Sequence, residues 1–426
     1  MSKDKLDLHA FEEDLGLCSA PVAVAVGGSA SYSEETRHKE DVSTFLERLR
    51  AVDSSQNPSL TKGPEKAYLK DFHFAQQAPE LAEAVYHTPP CFREDLLNWW
   101  WAGGARGAFE SLRASAPFAS LSAQQLDCLA GLFPSEDDFR FLYLGMAGTG
   151  TGLHHDVICS HSWSGQISGF KLWILFHPSC TQDLVNSATG DCLADDIWAA
   201  APGNVLAQVR ALVRSCCEQQ SCELPSSFSV THSCSTHPAV DGSVWSRAYL
   251  AIQPPQTAMF VPSGWYHQVH NLTRSLSINH NWFDSSALEA VCDFVIEEAA
   301  EVRKRIDDCR TPGIALEADC SFAVLCERVM RADIRCNIAQ LCLLLSLVCA
   351  SCNESSRVSE ASRPLLYSAE ALRVAVEACA GKLATEPLVC MATSAESDLH
   401  LRGKMTESGL CIVTDFLGGS PVDVLT

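Results

Sequence analysis

The chain has 426 residues, 47% of them hydrophobic, which is enough apolar material for one large or two ordinary packed domains. Its formal charge of −21 argues against non-specific DNA or RNA binding, which needs Lys and Arg clustered against phosphates, and suits a basic peptide partner. The 21 cysteines of so long a chain read as reduced thiols, and Met1 to Lys5 leads into charged sequence, not an apolar signal segment. The expected location is the cytoplasm, with the nucleus as a second one.

In chain order, residues 1–66 read as a partial N-terminal flank, with a strand-like run at Val22–Val26, helical spacing over Val42–Val52 and a loop at Ser54–Ser59. Residues 67–284 are expected to form the main domain. A short strand at Ala67–Lys70 and helical segments, one carrying Trp99–Trp101, precede a run of strands. Those strands are Phe141–Leu144, Phe170–Phe176, Ala258–Val261, Trp265–His270 and Ser275–Trp282. Short strands divided by Gly and Pro turns predict a mostly β core of sandwich or barrel type with flanking helices, an α+β fold. Residues 180–248 interrupt it as an irregular insertion rich in Cys and Ser. Ser286 and Glu289 fit a capping box that would open a helical region over 285–384. The apolar run Ile338–Ala350 is too short to span a bilayer and predicts a buried helix. Residues 385–426 carry no pattern.

The chemistry gathers around His154 and Asp156. On a strand, residues i and i+2 share a face, so both can point at one ion while His155 points away. Far downstream, His267 follows the turn Pro262-Ser263-Gly264 in an aromatic strand. Two histidines and one carboxylate are the ligand set of non-haem Fe(II) oxygenases, which keep half the coordination sphere open. The glycines of Gly148–Gly152 resemble a phosphate-cradling loop, but such loops lead from a strand into a helix. These lead into His-His-Asp, and a tight turn before the ligand strand explains them better. Lys171 stands on an otherwise apolar strand, so it is either a snorkelling edge residue or a cation awaiting the distal carboxylate of a diacid. Ser275, Ser277, Asn279 and Asn281 share one strand face, opposite Leu276, Ile278 and His280. That polar face is either solvated or the lining of a barrel cavity. Cys216, Cys217, Cys222, His232, Cys234 and His237 in the insertion could bind zinc, but no knuckle-spaced pair of cysteines is present. No cysteine is marked by its neighbours as an activated nucleophile.

Three blocks then agree in order: Gly150–Asp156, Gly169–Phe176 and Phe260–His267, joined by Gln268–Leu272, Ser277–Trp282, Tyr68–His73 and Asp138–Phe141. Together they resemble the Jumonji-C (JmjC) oxygenases over roughly residues 6–300, and among these the members that hydroxylate a lysine of a translation release factor. The resemblance implies a double-stranded β-helix, or cupin-like barrel. It implies that His154, Asp156 and His267 bind Fe(II) and that Lys171 pairs with the far carboxylate of 2-oxoglutarate. It also implies that Tyr68, Thr151 and Asn279 hydrogen-bond that cosubstrate. Ser162 or Ser164 falls where related enzymes often place an asparagine. Oxidative decarboxylation with O2 to succinate and CO2 would drive hydroxylation of a substrate C–H, on a protein partner and without nucleic acid or membrane. Family members generally carry more sequence ahead of the point where this chain starts. A histone lysine demethylase is the runner-up, although no chromatin-reading zinc module is visible. A catalytically silent cupin-type binding protein would have no need of His154, Asp156, His267 and Lys171 together. A cupin using another metal for isomerisation would not need Lys171.

Overall fold

Strand propensity is spent on two sheets. The computed structural model describes residues 8–25, 35–54, 66–115, 118–134, 138–185, 196–220, 242–309, 315–366 and 368–389. Its strands are β1 (Ser19–Ala25), β2 (Glu35–Asp41), β3 (Lys66–Phe72), β4 (Arg140–Gly145), β5 (Gly150–His154), β6 (His161–Ser168), β7 (Lys171–Phe176), β8 (Tyr249–Gln253), β9 (Thr257–Val261), β10 (Tyr266–Asn271) and β11 (Ser275–Trp282). The larger sheet has the order β2-β1-β3-β4-β11-β6-β9 and the smaller β5-β10-β7-β8. This antiparallel core with flanking helices is the expected fold class.

Edge strand β2 is charged and exposed over Thr36–Lys39, which protects the sheet from pairing with another chain. β7 is the opposite case, with all six residues buried. Leu172, Ile174 and Phe176 project into a cluster with Val205, Val209 and Val213 of the helix Gly203–Gln220. Trp173 and Leu175 project the other way, against Val261 and Val269. A strand covered on both faces reads as a continuous apolar run, and the Phe170–Phe176 sequence has that form. The covering helix corrects the expectation for residues 180–248. Residues 203–220 there are helical, because Val205, Val209 and Val213 recur at a spacing of four and make one apolar stripe. Cys222, His232, Cys234 and His237 lie outside the described residues.

The chain clusters into two compact units, one of residues 1–87, 140–156 and 161–281, the other of 88–139, 157–160 and 282–426. The second is helical. Its helix Ile338–Asn353 is buried along its whole apolar run. Asn337 accepts the Gln340 N–H at 2.9 Å, and the Glu327 carboxylate accepts those of Ile338 (3.3 Å) and Ala339 (3.0 Å). No single described helix is long and apolar enough to cross a membrane. The expected capping box is not formed. The helix begins at Leu288 with no side-chain cap, and Ser286 turns back to Asp284, whose Oδ1 accepts from the Ser286 hydroxyl (2.6 Å) and from the Ser286 and Ala287 N–H groups. A carboxylate two residues upstream is a stronger acceptor than a hydroxyl and takes the donors. No disulfide joins the cysteines among the described residues.

Candidate metal centre

β10 lies between β5 and β7, and its register sets His267 directly opposite His154. Their ring centroids are 4.2 Å apart. β5 ends at His154, so Asp156 is beyond the strand and strand parity does not place it. The turn of the chain after β5 returns its carboxylate to the histidines instead, and His267 Nε2 lies 4.0 Å from Asp156 Oδ2. One nitrogen from each histidine and one Asp156 oxygen all fall within 4.8 Å of one another. His155 turns aside, its ring edge-on to Tyr266 at 5.4 Å.

The donor atoms are preset. His154 Nδ1 donates to the Gly152 carbonyl at 2.8 Å and His267 Nδ1 to the Trp265 carbonyl at 3.2 Å. A carbonyl only accepts, so each Nδ1 carries a proton and each Nε2 is the ring nitrogen left to face a metal. Burial, reinforced by His267, lowers the His154 pKa to about 4, so that imidazole is neutral and ready to ligate at neutral pH. Burial alone would raise the Asp156 carboxyl. The two imidazoles, with hydrogen bonds from Ser162 (2.6 Å) and Asn281, outweigh that and hold it below the usual range. Trp173 stacks on His267 with centroids 5.7 Å apart, and is itself fixed by a 2.7 Å bond from its indole N–H to Gln253. Two imidazoles and one carboxylate, each oriented by a second hydrogen bond, fit a divalent transition metal.

The three residues open onto a cavity of about 390 Å³ between the sheets. It also collects Tyr68, Thr151, Lys171 and Asn279, so all seven of the expected site residues line one space. Lys171 is 3% exposed, which removes the snorkelling alternative. Its Nζ donates to Ser277 Oγ at 2.6 Å and lies 5.6 Å from the centre of the Tyr143 ring. Among the described residues it has no carboxylate partner, and burial lowers its pKa to about 7. Among the described residues Asn279 Oδ1, itself buried, has no hydrogen-bond partner. A buried ammonium and an orphaned amide oxygen in one cavity mark a place built for a polar ligand. The polar face of β11 is thus turned inward, as the second of its two readings had it. Of the two candidate serines, Ser162 touches the site and Ser164 does not.

Sequence reasoning missed Arg37, Lys70, Asp71, Tyr143, Trp173 and Asn281 in this lining. Asn281 was named as part of a face but given no contact. Tyr143 shares an alternating face with Phe141, which was a usable signal. Asp71 offered none, because its direction depends on a backbone irregularity.

Residues 24–288 match the family model of the cupin-like domain. The chain belongs to the cupin-like domain family. Among relatives of this cupin-like chain, the 2-oxoglutarate and iron-dependent oxygenase JMJD4 of Gallus gallus is 30% identical over 72% of this chain and 56% of its own length. The protein of the same name from Homo sapiens is 28% identical over 68% and 53%. The arginine-specific demethylase JMJ20 of Arabidopsis thaliana is 26% identical over 80% and 59%. The chain therefore spans a little over half the length of the curated relatives it matches.

Proposed function

We propose that this chain is an Fe(II)- and 2-oxoglutarate-dependent protein oxygenase of the cytoplasm that hydroxylates a lysine side chain, with a translation release factor as its substrate. The observation that carries the reading is Lys171. A buried ammonium whose one hydrogen-bond partner among the described residues is a hydroxyl shares a cavity with three preset metal donors. That arrangement calls for an anionic ligand that reaches the metal at one end and Lys171 at the other, and a short dicarboxylate has that form. The names of the oxygenase relatives support the same cofactor pair. The release factor rests on the agreement of Tyr68–His73, Gly150–Asp156 and Phe260–Leu272 with that branch of the JmjC enzymes.

In this scheme His154, Asp156 and His267 would hold iron, and Lys171 would take the distal carboxylate. Tyr68, Thr151 and Asn279 complete the hydrogen bonds of the cosubstrate, Asn279 by offering its orphaned amide. Bound iron, 2-oxoglutarate and O2 would supply the oxidising chemistry that turns a C–H into C–OH with release of succinate and CO2. The residues of the chain orient and desolvate. Ser162 and Asn281 keep Asp156 ionised and aimed, and Trp173 packs over His267. A demethylase would use the same site on an N-methyl carbon, and JMJ20 carries that activity in its name.

Purified protein supplied with Fe(II), 2-oxoglutarate and lysine-containing release-factor peptides is expected to form succinate, and peptide mass spectrometry to show one added oxygen on lysine. His154→Ala should abolish both. Loss of methyl groups from methylated peptides would favour the demethylase. Failure of the folded wild type to bind 2-oxoglutarate would sink both readings.

A further inference from the structure

We infer that Asp71 is the residue that receives the cationic end of the substrate side chain, an assignment that rests on the oxygenase reading above. β3 and β4 pair Tyr68 with Gly145 and Leu69 with Leu144, and then Phe72 with Leu142. Two residues, Lys70 and Asp71, therefore oppose Tyr143 alone. This is a β-bulge, a device that re-aims a side chain. Asp71 has φ +57°, a left-handed conformation that Asp and Asn tolerate better than most residues. In a regular strand Asp71 would face away from Tyr68. With the bulge, Tyr68, Lys70 and Asp71 all line the cavity.

The carboxylate is also held. The Tyr143 hydroxyl donates to Asp71 Oδ1 at 2.7 Å, and the same ring lies beside the Lys171 ammonium. The Tyr143 phenol is partly buried, and its desolvation with the charge of Asp71 keeps its pKa well above the ordinary value, so it stays a donor. An ionised carboxylate accepts several hydrogen bonds and Tyr143 occupies one.

Charge accounting points the same way. Among the described residues Arg37, Lys70 and Lys171 line the cavity, and the carboxylates there are Asp71 and Asp156. Asp156 is committed to the two histidines, Ser162 and Asn281. Without Asp71 the space would repel a lysine ammonium or an arginine guanidinium. With it, a cationic side chain gains a charge-assisted hydrogen bond and the neutral analogue gains nothing.

The test uses the full chain loaded with Mn(II) and 2-oxoglutarate. The probes are Nα-acetyl-lysine methylamide and its neutral counterpart Nα-acetyl-norleucine methylamide, and the readout is Mn(II)-induced NMR line broadening of the side-chain terminal protons. Wild type is expected to broaden the lysine probe at about tenfold or more lower protein concentration than the norleucine probe. Asp71→Asn, which keeps size and left-handed tolerance, should lose that preference while its 2-oxoglutarate affinity changes far less. Asp71→Glu should restore part of it. The assignment is overturned if Asp71→Asn keeps the full lysine preference, or if it weakens 2-oxoglutarate binding with the preference intact, which would make Asp71 only a counter-ion to Lys70 and Arg37. A folded wild type that binds neither Mn(II) nor 2-oxoglutarate overturns the oxygenase reading itself, a result distinguishable from the others.

Discussion

The two walls of the cavity are built on different terms. On the smaller sheet, His154 and His267 are aimed by carbonyls two residues upstream in their own segments, Gly152 and Trp265. On the larger sheet, Tyr68, Asp71, Tyr143 and Asn279 come from three strands, and their directions depend on a bulge and on bonds between strands. The metal wall is set locally and the ligand wall by tertiary structure. Local setting leaves the donors ready before any ion arrives. Tertiary setting leaves polar groups whose burial costs stability until a ligand compensates them.

Lys171 is where the comparison breaks most sharply, because it starts on the smaller sheet and ends at Ser277, 106 residues away on the larger. Lys171→Met is expected to raise the 2-oxoglutarate Kd by about a hundredfold or more, the scale for truncating one partner of a buried charge pair. The same change should raise the Tm of the ligand-free protein by a few degrees, roughly as one to two kcal/mol would. Titration calorimetry in Mn(II) and a thermal scan check the two halves. A variant that lost stability along with affinity would show that the amine is a structural part and not a stored cost.

A pH series sharpens the same point. Burial depresses the Lys171 pKa from 10.5 to about 7. Below pH 7 both folded and unfolded chains carry the ammonium, and the folded one carries it desolvated. Between 7 and 10.5 the unfolded chain binds the extra proton, so this group makes the ligand-free protein more stable as pH rises. Binding of a carboxylate needs the ammonium and runs the other way. The 2-oxoglutarate affinity is expected to be highest near and below pH 7 and to fall by up to about tenfold per pH unit above it. Lys171→Met should flatten both slopes.

This division also explains what could be read from the sequence. The histidine pair, the glycine turns and the apolar β7 run are local patterns, and they were legible with the cupin-like fold. Asp156 was found for a reason that does not hold, since it follows the strand instead of lying on it. Ser286 matched a capping pattern, but Asp284 outcompeted it at two residues' distance. The helix Gly203–Gln220 was hidden by the Cys and Ser around it, and Asp71 by a bulge that no residue announces. Spacing rules assume regular backbone, so they fail where an extra residue shifts the register.

Ser162 gives the mildest break, and it falls on the metal wall. Its hydroxyl donates to Asp156 Oδ2 at 2.6 Å from β6 of the larger sheet, a tertiary support for a donor otherwise set locally. Asn281 supports the same carboxylate, so removing one of the two leaves the other. Ser162→Ala is expected to weaken Mn(II) binding by about tenfold, the lower end of what outer-shell partners contribute, with the fold intact by circular dichroism. Ser164→Ala, one turn of the pleat further along the same face, should leave Mn(II) affinity within about twofold, since its hydroxyl has no partner in the site. Equal losses in the two variants would mean that β6 acts through packing. A loss confined to Ser162 would mean that even the local wall of this site leans on one bond from the opposite sheet.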